Sequence, residues 1–313
     1  MTIHLNYVGC DISKTHLDLF DPQGGRKRAG KAWRVANTHA SAAGFASTLA
    51  PDCHVILEAT GRYDQLLRKA LDAAGIAYSR INPTKARRFA EAAGYHAKTD
   101  RLDAQMLSEY GQRFEPEAAL PIDDARETLT GLRLRRDQLV EARACEKGRR
   151  DGATGVTLTS LDDHIAFLDA AIVAIEDEIK AFLKTYPTLG DDHKRLQSAP
   201  GVGPVTADVL VAGLPELGHC NSAQIAALAG LAPMNRDSGI RRGKRSIRGG
   251  RRRVRRALYM AALHARKAHG PLRDIYQRVL ERSGVKKIAI IAVARKLLIV
   301  LNAMMKNKTV YQS

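Results

Sequence analysis

Four carboxylates and one serine stand where side-chain type and spacing invite chemistry. Asp11 lies among apolar neighbours in "NYVGCDIS", and Glu58 ends the apolar run "CHVILEAT". In "AKTDRLDAQ", Asp100 and Asp103 are three residues apart and share a helical face. An acid inside or at the end of an apolar strand is costly unless it is paired, placed at a sheet edge, or holding a cation. Four carboxylates drawn from two strands and a helix could converge on two hard divalent cations, which prefer oxygen ligands. Such ions can activate a nucleophile and stabilise a leaving oxygen in phosphoryl transfer. The competing reading pairs Asp11 with Lys14, Glu58 with Arg62, and the helical aspartates with Arg101 or solvent.

The serine is Ser238, in "NRDSGIRRGKRSIRGG". Arg236 precedes it. Arg241, Arg242, Lys244, Arg245 and Arg248 follow, and Arg251 and Arg252 continue the run into a helix-like stretch. A run this dense holds a polyanion and should do so with a steep salt dependence. Aromatic residues are few here, so backbone holding is favoured over base stacking. A serine hydroxyl attacks poorly unless a base, a metal or nearby cations stabilise its alkoxide. Arg236, Arg241, Arg242 and Lys244 could supply that charge, also to a pentacovalent phosphate. The run contains no histidine to act as base, and a turn or cap role for a serine in "RDSG" competes with the nucleophile reading. Upstream, "PGVGPVTA" sets Gly201 and Gly203 between two helical segments. Its backbone N–H groups could face a phosphate as in a helix-hairpin-helix element, or it is a turn between packed helices.

The elements that must position these groups follow from periodicity. Strands are predicted at "NYVGCDI", "HLDLFD", after the "GG" turn at 24–25, at "CHVILEAT" and at "IAYSRINP". Helices are predicted over 41–49 and 63–74, over "TKARRFAEAAG", and over "TDRLDAQMLSEYG" with Thr99 as N-cap. This is an α/β pattern with a mixed sheet. Residues 123–150 and 160–184 instead read as a long helical hairpin broken at 151–157, and a helical C-terminal region follows. In the second half of the basic run, Val254, Leu258, Ala261 and Ala265 face inward on a helix.

The 313 residues carry a formal net charge of +17, which calls for a polyanionic partner. No uninterrupted apolar run approaches ~18 residues, so no spanning helix is expected. The first residues show no secretory pattern. Four dispersed cysteines form no CxxC pair, which argues against a zinc site and for a reducing compartment.

The chain resembles the IS110/IS1111 family of insertion-sequence transposases, the bridge-RNA-guided recombinases. "GCDISK", "LEATGRY" and "AKTDRLDA" look like that family's RuvC-like, RNase H-fold domain. "PGVGPVTA", "LAGLAPMNRDSG", "GKRSIRGGRRRVRRALYMAAL" and "ARKLLIVLNAMMK" are similar to its second transposase domain. The resemblance implies three parts: an RNase H-fold DEDD domain over 1–115, a helical coiled-coil arm over 116–190, and a C-terminal transposase domain over 191–313. It implies that Asp11, Glu58, Asp100 and Asp103 bind Mg2+ or Mn2+. It implies that Ser238 attacks a DNA phosphodiester, forming a phosphoserine link that keeps the bond energy for rejoining. Its partners would be donor and target DNA and a noncoding bridge RNA. The arm would serve dimer or tetramer formation, half-sites would come from different subunits, and the setting would be a prokaryotic cytoplasm, at the nucleoid. Two rivals remain: a RuvC-like nuclease that uses water, and a non-catalytic nucleic-acid binder.

Overall fold

The structure is a computed structural model. It describes residues 5–24, 30–59, 61, 63–95, 99–234, 243 and 245–312, with Arg101 described by its backbone alone. The chain forms two compact units, Met1–Asp123 and Asp124–Ser313.

The first unit is built on five strands: β1 (Asn6–Ile12), β2 (His16–Asp21), β3 (Lys31–Ala36), β4 (Cys53–Glu58) and β5 (Ala77–Ile81). Their order is β3-β2-β1-β4-β5. The first three pair antiparallel, while β1, β4 and β5 run parallel. This is a mixed sheet, consistent with the RNase H-like arrangement expected from the sequence. The helices are α1 (His39–Ser47), α2 (Gln65–Ala73), α3 (Pro83–Ala92) and α4 (Asp100–Phe114). One face of the sheet buries Val8, Cys10, Leu17, Leu19, Val55 and Leu57 with Phe45 of α1 and Leu67 and Leu71 of α2. The other buries Tyr7, Ile56 and Ile81 with Phe89 of α3 and Met106, Leu107 and Tyr110 of α4. Central strands covered on both faces must read as nearly continuous apolar runs, as "YVGC" and "CHVIL" do.

Gly9 sets how closely α4 approaches the sheet. A Cβ built there would lie 1.9 Å from the Ala104 carbonyl oxygen and 2.7 Å from the Ser108 nitrogen. Ser108 donates from Oγ to the Tyr7 carbonyl at 2.6 Å, and a Cβ on Gly111 would meet Tyr7 and Ile56. Helix and strand therefore touch backbone to backbone. Gly9→Ala should cost about 3 kcal/mol by overpacking and push the start of α4 off the strand. Thermal melting should show the loss. A melting temperature unchanged from the parent protein would contradict this packing.

The second unit opens with α5 (Asp124–Arg150) and α6 (Gly155–Thr185), joined by a short turn. Leu139, Leu168 and Ile172 pack between them along their length. Three arginine–carboxylate pairs fix the antiparallel register: Arg136 with Glu176 at 2.7 Å, Arg143 with Asp169, and Arg150 with Asp162 at 2.5 Å. They recur every seven residues on both helices, as in a coiled-coil seam. At the base, Leu129, Ile179 and Leu183 join the core of the remaining helices.

Those helices are α7 (Pro187–Gln197), α8 (Pro204–Gly213), α9 (Ser222–Leu228), α10 (Arg252–Ala265), α11 (Pro271–Ser283) and α12 (Lys286–Asn307). Helix α12 is long and apolar enough to cross a membrane by length and composition. Basic residues interrupt its apolar run, which is why a search for unbroken runs passes over it. Ala289, Val293, Leu297, Leu298 and Leu301 are fully buried, so in this fold its apolar stripe is core.

Candidate active site

Strand register gathers the acidic residues into one row. Asp11 on β1 lies directly opposite Asp18 on β2, and Asp18 opposite Arg34 on β3. Opposed residues of antiparallel strands share a face. On the parallel side the register runs to Cys10 opposite Leu57, so Asp11 and Glu58 are the next residue on each strand. Gly9 lies two residues before Asp11 on that same face, beneath Ala104. The first turn of α4, which carries Asp100 and Asp103, therefore lies towards Asp11. Thr99 caps this helix, its side-chain oxygen accepting from Leu102 N–H at 3.3 Å. Acids in a first turn also suit the helix dipole.

The electrostatics register this convergence. Burial first, then the charges of Asp103, Asp100 and Glu58, together push the Asp11 carboxyl up to about 6, against a hydrogen bond with the Ile12 backbone that lowers it. Asp100 takes its ion pair from Arg34, whose Nη2 lies 2.7 Å from Oδ2. The same guanidinium grips Asp18 with two bonds, Nε to Oδ1 at 2.9 Å and Nη2 to Oδ2 at 3.0 Å. Asp18 and Arg34 were not among the residues singled out from sequence, because only strand pairing reveals them.

Oxygen-only donors, mutually destabilising as anions, fit a hard divalent cation by their chemistry. Among the described residues no three acidic, histidine or cysteine side chains stand close enough to cage an ion as arranged. The four acids are thus brought to one end of the sheet without being closed into a shell.

In the second unit, Ser238 and its neighbours Arg236, Arg241, Arg242 and Lys244 lie outside the described residues. The flanks of that segment are described. Strand β6 (Pro233–Met234) pairs antiparallel with β7 (Ser246–Ile247), Met234 opposite Ser246. This ladder brings together the two ends of the segment carrying the serine. Beyond it Gly250 packs against Gly230, where a Cβ would lie 2.2 Å from a backbone nitrogen. Arg255 donates to the Gly249 carbonyl at 2.5 Å.

Arg245, Arg248 and Arg252 are exposed, as residues that hold a nucleic-acid backbone must be. Arg251 is engaged elsewhere. It donates twice to Glu216, at 2.5 and 2.6 Å, and once to the Gly213 carbonyl at 3.1 Å. The turn at 201–203 also has a packing role. Gly201 has φ +78°, and a Cβ there would lie 2.3 Å from the Ala261 carbonyl oxygen of α10. The glycine is required by the closeness of α10, whatever else the turn does. Gly203 precedes Pro204 at the start of α8, and the space around its Cα is open.

Residues 193–277 match the family model described as the transposase IS116/IS110/IS902 family, and residues 8–153 match an IS110-type DEDD transposase model. A pilin gene-inverting protein of Moraxella bovis is 30% identical over 258 residues, covering 81% of this chain and 80% of that protein. The "insertion element IS110 uncharacterized 43.6 kDa protein" of Streptomyces coelicolor is 31% identical over 164 residues, covering 52% of this chain and 40% of that protein.

Proposed function

The chain belongs to the IS110 family of insertion-sequence transposases, and from that premise we propose that it cuts and rejoins DNA through a phosphoserine link. A transposase acts on DNA, and a DEDD transposase domain implies a general dependence on a divalent metal. The observation that carries the reading furthest is the convergence of four acids from β1, β4 and α4, with Asp11 held near pH 6 by its burial and by the other three.

Asp11, Glu58, Asp100 and Asp103 would hold the cation, Mg2+ or Mn2+. When bound, it supplies Lewis acidity to a scissile phosphodiester. The chain's own residues do the rest. Exposed Arg245, Arg248 and Arg252 hold the DNA backbone. Ser238 Oγ attacks phosphorus and gives up its proton. A serine–phosphate ester forms as one phosphorus–oxygen bond to deoxyribose breaks, and the departing oxygen takes up a proton. The number of phosphorus–oxygen bonds is unchanged, so a DNA hydroxyl can reverse the step on a new strand without an external energy source. A relative named for gene inversion supports rejoining, since an inverted segment must be sealed at both ends. In this proposal a noncoding bridge RNA selects donor and target DNA. The C-terminal basic domain and the α5–α6 arm serve nucleic-acid binding and assembly of dimers into tetramers.

The test is strand cleavage on element-end DNA with the element's flanking noncoding RNA. Chelation with EDTA should abolish cleavage and Mg2+ or Mn2+ should restore it, while DNA binding persists throughout. Cleavage that survives chelation would overturn the metal's place in the reaction.

A further inference from the structure

We propose that Arg34, braced by Asp18, is a positioning residue that orients Asp100 for the cation. The role rests on the metal-site reading above and extends it to two residues outside the four acids.

The reasoning starts from the sheet. Arg34 is on β3, an edge strand, directly opposite Asp18 on β2. Two parallel bonds to Asp18 fix the plane of the guanidinium. Asp18 is itself well anchored, with a side chain only 12% exposed. The remaining reach of Nη2 is then directed at Asp100 Oδ2. This bond engages Oδ2 of Asp100 and so fixes the plane in which its carboxylate would be offered to a cation. Asp100 needs such a hold. It is the first residue of α4, its side chain is 62% exposed, and neighbouring acids repel it.

A cation beside a metal site could instead weaken metal binding by repulsion. Here Asp18 offsets the charge of Arg34 through the fork, so the pair is close to neutral towards an incoming ion. Orientation then outweighs repulsion. Outer partners that orient metal-binding carboxylates typically contribute ~10–100-fold to metal affinity.

Mn2+ titrated calorimetrically into the full-length protein, without nucleic acid, tests this. Melting curves screen each variant for folding. Arg34→Gln should bind Mn2+ about 10-fold more weakly, and Arg34→Lys should recover part of the loss. Asp18→Asn, nearly isosteric, should weaken binding in the same direction by releasing Arg34, and it carries the test if Arg34→Gln fails to fold. Unchanged or tighter binding in the folded variants would overturn the positioning role. Mn2+ binding that ignores Asp11→Asn would overturn the metal site itself, and the role of Arg34 with it.

Discussion

Ser238→Ala should abolish strand exchange and leave DNA binding intact. Removal of an attacking hydroxyl typically costs ~10⁴-fold or more in turnover, because nothing else in the site forms the covalent link. The exposed arginines around the segment are untouched, so affinity and its salt dependence should match the parent protein. Gel-shift titration at two salt concentrations measures the binding, and a strand-transfer assay measures the loss. Substantial transfer by the alanine variant would remove the serine from the chemistry and leave it a turn residue.

Asp11→Asn should have the second-largest effect on activity and an opposite effect on stability. Cleavage should fall roughly 10²–10³-fold, the scale on which loss of one electrostatic stabiliser is felt. Metal-free stability should rise. The ordinary value of this carboxyl is 3.8, and the folded protein holds it at about 6. Between about pH 4 and pH 6 the folded state therefore binds more protons than the unfolded state, and stability falls as pH rises. Above pH 6 the full penalty is present, and asparagine does not carry it. Allowing for the partial solvent exposure of Asp11, the gain at pH 8 is on the order of 1 kcal/mol. That corresponds to ~4 °C in melting temperature, vanishing below pH 4. A variant less stable than the parent at pH 8 would contradict the burial penalty and the repulsion inferred for Asp11.

The strand and helix order of the first unit was legible in the sequence because its periods differ so sharply. Continuous apolar runs mark β1 and β4, the i, i+4 spacing of Leu67 and Leu71 marks α2, and Thr99 announces α4. Each of these signals is local. What escaped notice depends on pairing across the fold. Asp18 and Arg34 are an ordinary polar alternation on β2 and β3 until the register sets them beside Asp11. Gly9 reads as a weak strand residue, yet α4 could not lie where it does with any side chain there. Gly201 shows the reverse ambiguity, since a glycine that lets backbone meet a helix looks the same in sequence as one that lets backbone meet a phosphate. Arg251 likewise belongs by composition to a basic run and by geometry to Glu216.

Covalent capture is the most direct test of the serine chemistry. The protein would be incubated with Mg2+, the element's flanking noncoding RNA and a nicked element-end DNA that loses its leaving strand on cleavage, then digested and analysed by mass spectrometry. A nucleotide carried on the peptide containing Ser238, absent from Ser238→Ala and Asp11→Asn, is the expected result. Metal-dependent cleavage that leaves free phosphate ends and no nucleotide on the protein, undiminished in Ser238→Ala, would contradict it and identify a nuclease that uses water.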